Sequence, residues 1–154
     1  AHAQALGAAA TVDTSGAAAG TLAQQVKDAT QGRGVDAAYD HVCGPHIAEH
    51  LELLAPFGLL VSYNALMGLP QADVFAALRG HAAHALGIVT YNMHAYDDNR
   101  ASRRALLDSP IQWLAGGKLG PLVNTVLPLS QARQAHERLD AGDILGKMAL
   151  DPAA

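Results

Sequence analysis

A single cysteine in 154 residues leaves no partner for an intramolecular disulfide. Nothing in the chain is stapled covalently, and a reducing compartment, by default the cytoplasm, is the expected location. An excess of positive charge is also missing. The net charge is -4, and Lys27, Arg33, Arg79, Arg103, Lys118, Arg133 and Lys147 are scattered along the chain, so nucleic acid is not an expected partner. No apolar run is long enough to span a bilayer, and no basic segment leads into an apolar one as in a secretory signal, so no membrane partner is expected either. Internal repeats are absent, and no glycine-rich G-x-G-x-x-G turn follows a strand; Gly32 and Gly34 precede one and read as a turn.

What is present is a globular composition, 50% hydrophobic and 16% charged, long enough for a real core. The most informative stretch is a βαβ unit. Gly34 to Cys43 and Gly58 to Asn64 are short apolar runs ending in small or polar residues, and a helix from Pro45 to Leu54, with Ile47, Leu51 and Leu54 as its apolar stripe, supplies the crossover that parallel strands require. Ligands of open α/β sheets bind off the carboxyl ends of such strands. Val42, Cys43, Gly44, Ser62, Tyr63 and Asn64 are therefore the first candidate site residues.

The remaining elements follow from punctuation and period. Residues 1–7 read as the end of a helix capped by Gly7, entering a short strand over Ala9 to Asp13. A chain that starts inside a helix, without an initiator methionine, is expected to have further sequence before it. Ala17 to Thr30 is expected as an amphipathic helix, Ala72 to Leu78 as a short one, and Ala85 to Tyr91 as a weaker strand suited to an edge. Asn99 to Leu114 is helical, kinked or restarted at Pro110 and closed by Gly116 and Gly117. A strand over Leu122 to Leu127, a helix with Ser130 as N-cap running to Leu139, and a strand over Lys147 to Leu150 complete the chain.

Two local patterns suggest chemistry of their own. His46, Glu49 and His50 match H-x-x-E-H, which on an α-helix places both imidazoles on one face where they could share zinc. The pattern is short and no further acidic ligand is evident, so a solvated histidine face is the reading adopted and no metal site is assigned. His81 and His84 read the same way. Cys43, near His41 and His46 and before a helix, could be a nucleophile. No oxyanion hole accompanies it, and a small buried residue is the preferred reading. Catalytic residues are not assigned.

The succession ALGAAATVD, GRGVDAAYDHVCG, LELLAPFGLLVSY, WLAGGKL and ILGKMAL, in this order and spacing, resembles the C-terminal half of the medium-chain dehydrogenase/reductases, especially the quinone oxidoreductase branch, over nearly the whole chain. The resemblance implies an α/β fold: a partial Rossmann-type doubly wound parallel sheet comprising strands 3 to 6 of the 3-2-1-4-5-6 order, over residues 1–118, followed by a return segment of the catalytic domain over 119–154. It implies that the chain is a C-terminal fragment of an oxidoreductase that uses NADP or NAD to transfer hydride to a quinone, enone or related carbonyl substrate. On its own the fragment is expected to be inactive, with doubtful dinucleotide binding, because the phosphate-binding turn and the catalytic groups would lie upstream. The alternative is a non-catalytic fragment or dimerising module.

The resemblance also carries over cofactor contacts. Val42, Cys43 and Gly44 resemble the position near the ribose, Ser62, Tyr63 and Asn64 the nicotinamide side, and Val89 and Thr90 the end of the sixth strand beside the nicotinamide. Cys43 and Asn64 stand where the family has glycine. Lys147 resembles a position near the cofactor cleft and reads equally as a solvated lysine. Asp40 is expected to accept from nearby backbone amides. A homodimer is expected to form through Ala85 to Tyr91, whose edge carries none of the usual protection.

Overall fold

A computed structural model describes residues 2–12, 21–120 and 122–154. The elements are α1 (His2–Ala5), α2 (Leu22–Ala29), β1 (Val35–Asp40), β2 (Leu54–Ser62), α3 (Val74–Gly80), β3 (Gly87–Thr90), α4 (Arg100–Ala115), β4 (Val123–Pro128), α5 (Ala132–Asp140) and β5 (Lys147–Asp151). They fall into two compact units, residues 1–93 and 94–154.

The first unit is built on a parallel sheet in the order β1-β2-β3, so the parallel strand pairing and the α/β class hold. Capping sets the helices: the Thr21 hydroxyl accepts the Gln24 N–H at the start of α2 and the Asp73 carboxylate accepts that of Ala76 at the start of α3, each satisfying a donor that the first helical turn leaves open. Residues 17–20 of the expected longer helix lie outside the described residues. α1 ends as expected at Gly7, with φ +101°.

Several boundaries differ from expectation. β1 stops at Asp40 instead of Cys43, because the Asp40 carboxylate takes the next amides and turns the chain. β2 begins at Leu54 instead of Gly58 and carries a bulge: Val35 lies opposite Leu54 but Ala37 opposite Leu59. Phe57 sits in that bulge at φ +66°. The crossover is not an α-helix over Pro45 to Leu54 but two 3-10 turns, Gly44–His46 and Glu49–Leu53. With Leu54 already in the strand, the short connection closes in the tighter form. Residues 9–12 form no strand, and Asp13 lies outside the described residues. A third strand of the 3-2-1-4-5-6 order lies beyond strands 2 and 1, and no described strand offers it a ladder.

One face of the sheet carries the core. Ala38, Leu60 and Ile88 stand in register across the three strands, and Leu60, fully buried, joins Cys43, Ile47, Leu51 and Leu54, with Val74, Ala77 and Leu78 of α3 packed against them. The opposite row is open. Tyr39, Val61 and Val89 are in register there, with Tyr39 74% and Val89 46% exposed. Parallel sheets are ordinarily covered on both faces.

The second unit pairs β4 with β5 in parallel, with α5 as crossover. Pro110 does not restart α4, which runs as one element and buries none of its described residues. The proline withholds one N–H from the preceding turn, and water can satisfy the carbonyl left over on an exposed helix. Gly116 and Gly117 end it: the Lys118 N–H reaches the Trp113 carbonyl at 2.8 Å, with Gly117 at φ +70°. Ser130 is not the cap of α5. It lies in a 3-10 turn, Leu129–Gln131, that leads into the helix. Among the described residues no helix is long and apolar enough to cross a membrane.

Candidate functional site

The carboxyl ends of β1, β2 and β3 lie side by side, tied by hydrogen bonds that extend the ladders beyond the strands. The Tyr63 N–H donates to the Asp40 carbonyl at 3.0 Å, and the Tyr91 N–H donates to the Ser62 carbonyl at 2.8 Å. The two following loops are laced together. Met67 N–H donates to the Val42 carbonyl and Gly44 N–H to the Gly68 carbonyl, both at 2.9 Å. Gly44 has φ +70°, and a Cβ there would stand 2.6 Å from that of Met67, so this close approach requires glycine.

Asp40 organises the turn after β1. Its buried carboxylate accepts the Val42 N–H at 2.8 Å and the Cys43 N–H at 3.2 Å to each oxygen, as the sequence suggested. The His50 Nδ1 lies 3.4 Å from the other side of that carboxylate. Cys43 has φ +55° and ψ -128°, the mirror image of an extended conformation, which glycine adopts freely and an L residue does not. Its side chain points into the core and is 5% exposed.

The expected site residues separate by exposure. Val42, Tyr63, Asn64, Val89 and Thr90 are exposed at adjoining strand ends, whereas Cys43, Gly44 and Ser62 are buried beneath them. The Tyr63 ring stacks on that of His41, with centroids 6.0 Å apart. Asn64 does not use left-handed geometry; its side-chain oxygen accepts the Ala65 N–H at 2.8 Å. Lys147 opens β5 in the second unit, where it borders a groove of about 350 Å³ with His136, Leu139 and Met148.

The shared histidine face does not form. In 3-10 geometry residues three apart eclipse, and His46 meets Glu49 at 3.2 Å in solvent while His50 turns inward to Asp40. Sequence reasoning passed over the apolar loop after β2, where Leu66, Met67 and Leu69 are exposed beside the strand ends. The run ALMGLP, apolar between turn residues, was the available signal.

This arrangement suits some parts of a dinucleotide better than others. The segments 41–44, 62–68 and 90–92 contain no lysine or arginine, and the amides of Val42, Cys43, Gly44, Tyr63 and Tyr91 donate within the protein. A pyrophosphate would find little to hold it. Exposed apolar side chains, a tyrosine ring, an amide and a hydroxyl suit a ring system and a sugar.

A family model for zinc-binding dehydrogenases matches residues 6–150. Among curated proteins, a probable quinone oxidoreductase of Schizosaccharomyces pombe is 27% identical over 129 residues, which is 84% of this chain and 38% of that protein. An NAD-dependent alcohol dehydrogenase of Sulfolobus acidocaldarius is 27% identical over 128 residues, 82% of this chain and 34% of that protein. The crystal structure of a quinone oxidoreductase of Pseudomonas syringae pv. Tomato DC3000 superposes with a TM-score of 0.79 at 27% identity, covering 98% of this chain and 45% of that one. The chain thus spans between about a third and a half of the length of these relatives. A parallel-sheet α/β architecture of partial Rossmann type, matched by the family model over nearly its full length, makes this chain a member of the zinc-binding dehydrogenase family.

Proposed function

We propose that the complete polypeptide containing these residues is an NAD(P)H-dependent oxidoreductase that transfers hydride to a quinone, enone or related carbonyl, and that this chain contributes the nicotinamide and ribose wall of its cleft. The observation that carries the reading is the alignment of three parallel strand ends, with Val42, Tyr63, Asn64, Val89 and Thr90 exposed together. The names of the relatives point to the same chemistry. When bound, the nicotinamide supplies the hydride chemistry. The protein's part is to orient the ring and exclude water. Val42 and Val89 offer apolar contact, and Asn64 and Thr90 offer polar groups to the carboxamide and ribose. Lys147, in the second unit, is assigned to the cofactor on the family resemblance. Residues 119–154 are assigned on the same reading to the catalytic domain, and the β3 edge to a two-fold homodimer contact.

A second reading, a non-catalytic or dimerising module, is favoured by one observation: the strand-end amides are consumed internally. Calorimetric titration with NADH and NADPH separates the two. The complete polypeptide is expected to bind one of them at micromolar concentration or tighter and this chain alone only weakly. Absence of binding to the complete polypeptide would refute the oxidoreductase reading.

A further inference from the structure

We propose that Asp40 is a positioning residue for the ligand-facing turn 41–44, and that its carboxylate is needed there because Cys43 holds a backbone conformation suited to glycine. The proposal deepens the dinucleotide reading and rests on it.

Three observations meet at this turn. First, Cys43 at φ +55° and ψ -128° would relax if left alone, since its Cβ crowds the backbone in the mirror-image extended region. Second, the groups that oppose relaxation all converge on it. The thiol is embedded with Ile47, Leu51, Leu54 and Leu60, and both Asp40 oxygens hold the Cys43 N–H while one also holds that of Val42. Hydrogen bonds to a carboxylate are roughly twice as strong as those between neutral groups. Third, the clamp is sheltered: Asp40 is 6% exposed, with the His50 imidazole 3.4 Å away.

The outer side of the same turn presents Val42 beside His41 and Tyr63. Rotation of the Val42–Cys43–Gly44 backbone toward an ordinary conformation would carry Val42 out of line. It would also pull on the Met67 and Gly68 contacts of the next loop. Asp40 thus acts on the ligand through the turn, without touching it. An amide in its place keeps the shape but turns one acceptor into a donor, which faces the backbone N–H groups badly.

The coupling between Asp40 and Cys43 gives the test. In the complete polypeptide, Asp40→Asn is expected to weaken dinucleotide binding at least tenfold, and Cys43→Gly serves as the reference for the double variant. In the double variant the glycine adopts the turn unaided, so binding is expected within about threefold of Cys43→Gly. Thermal melting of the same four proteins is expected to show the same non-additivity. If Asp40→Asn is equally damaging in the unmodified and the Cys43→Gly backgrounds, by both measurements, the clamp is overturned. If melting is non-additive while affinity is unchanged in every variant, the clamp exists but its role toward the ligand is overturned, whereas the dinucleotide reading itself fails only if the unmodified complete polypeptide does not bind.

Discussion

Gly32 and Gly34 provide a matched pair that separates backbone strain from steric exclusion. Both are left-handed, at φ +86° and +84°, on the turn between α2 and β1. A Cβ on Gly32 meets nothing within 4 Å. On Gly34 it would lie 2.6 Å from the Leu53 carbonyl oxygen and 2.9 Å from both the Ala55 nitrogen and the Leu54 carbonyl carbon. All three are backbone atoms at the start of β2, where Leu54 pairs with Val35 and enters the core. They cannot swing aside as a side chain can. Gly32→Ala carries the left-handed penalty, about 1–2 kcal/mol, less the stabilisation of about 0.4–1 kcal/mol that alanine confers by restricting the unfolded chain. The expected net loss is about 1 kcal/mol. Gly34→Ala adds the cost of forcing packed backbone apart, about 1–3 kcal/mol by analogy with overpacked cores. Urea unfolding followed by far-ultraviolet circular dichroism measures both. The midpoint should fall in each variant and clearly further for Gly34→Ala. Equal losses, within about 0.5 kcal/mol, would mean that the Gly34 contact with β2 is not as described, given that both positions bear the same conformational penalty.

Other outcomes follow from the same structure. Leu60→Ala, at the centre of the buried row, is expected to cost about 2–5 kcal/mol in the same assay, and a loss below about 1 kcal/mol would show that this face is not the core. Thr90→Trp in the complete polypeptide should impair turnover without altering the melting temperature, and unchanged kinetics would remove Thr90 from the cleft. Hydrogen bonds from Arg33 hold the Asp36 carboxyl below its ordinary titration range. Its contribution is therefore present at neutral pH and lost as pH falls through that lowered midpoint. Arg33→Gln should raise the midpoint seen by carboxyl NMR, and no change would exclude the pair in solution. Replacing His46 with Gln should leave metal content and activity unchanged, whereas loss of stoichiometric zinc would restore the H-x-x-E-H reading.

The pattern of apolar runs is enough to find β1, β2 and β3 and their parallel sense, because burial on a pleated surface is a local signal. What sequence does not disclose depends on partners distant in the chain. The helical stripe of Ile47, Leu51 and Leu54 is real as burial, yet β2 recruits Leu54 and leaves the crossover only 3-10 turns. The composition of residues 9–13 suits a strand, but a strand exists only where another edge receives it. At the site, the exposed residues can be located by topology, whereas the Cys43 strain, the inward turn of His50 and the lacing of Gly44 to Gly68 are properties of backbone geometry that residue identity does not encode. The exposure of Tyr39 and Val89 is likewise invisible, since hydropathy does not reveal which faces go uncovered.

The grouping of every described ladder within one contiguous half of the chain bears on biosynthesis. β1, β2 and β3 lie in residues 1–93, where β1 pairs with β2 and β2 with β3, while β4 and β5 pair within residues 94–154. Among the described residues, neither sheet waits for a strand from the other half. As the chain leaves the ribosome, the first unit can complete its hydrogen bonds before the second is made, and domains in general fold as such units, N-terminal first. Each connection is a single crossover, which keeps the entropy of loop closure low for a parallel sheet. The row carrying Tyr39 and Val89 stays open in the completed first unit, so it remains accessible to chaperones while the second unit is made.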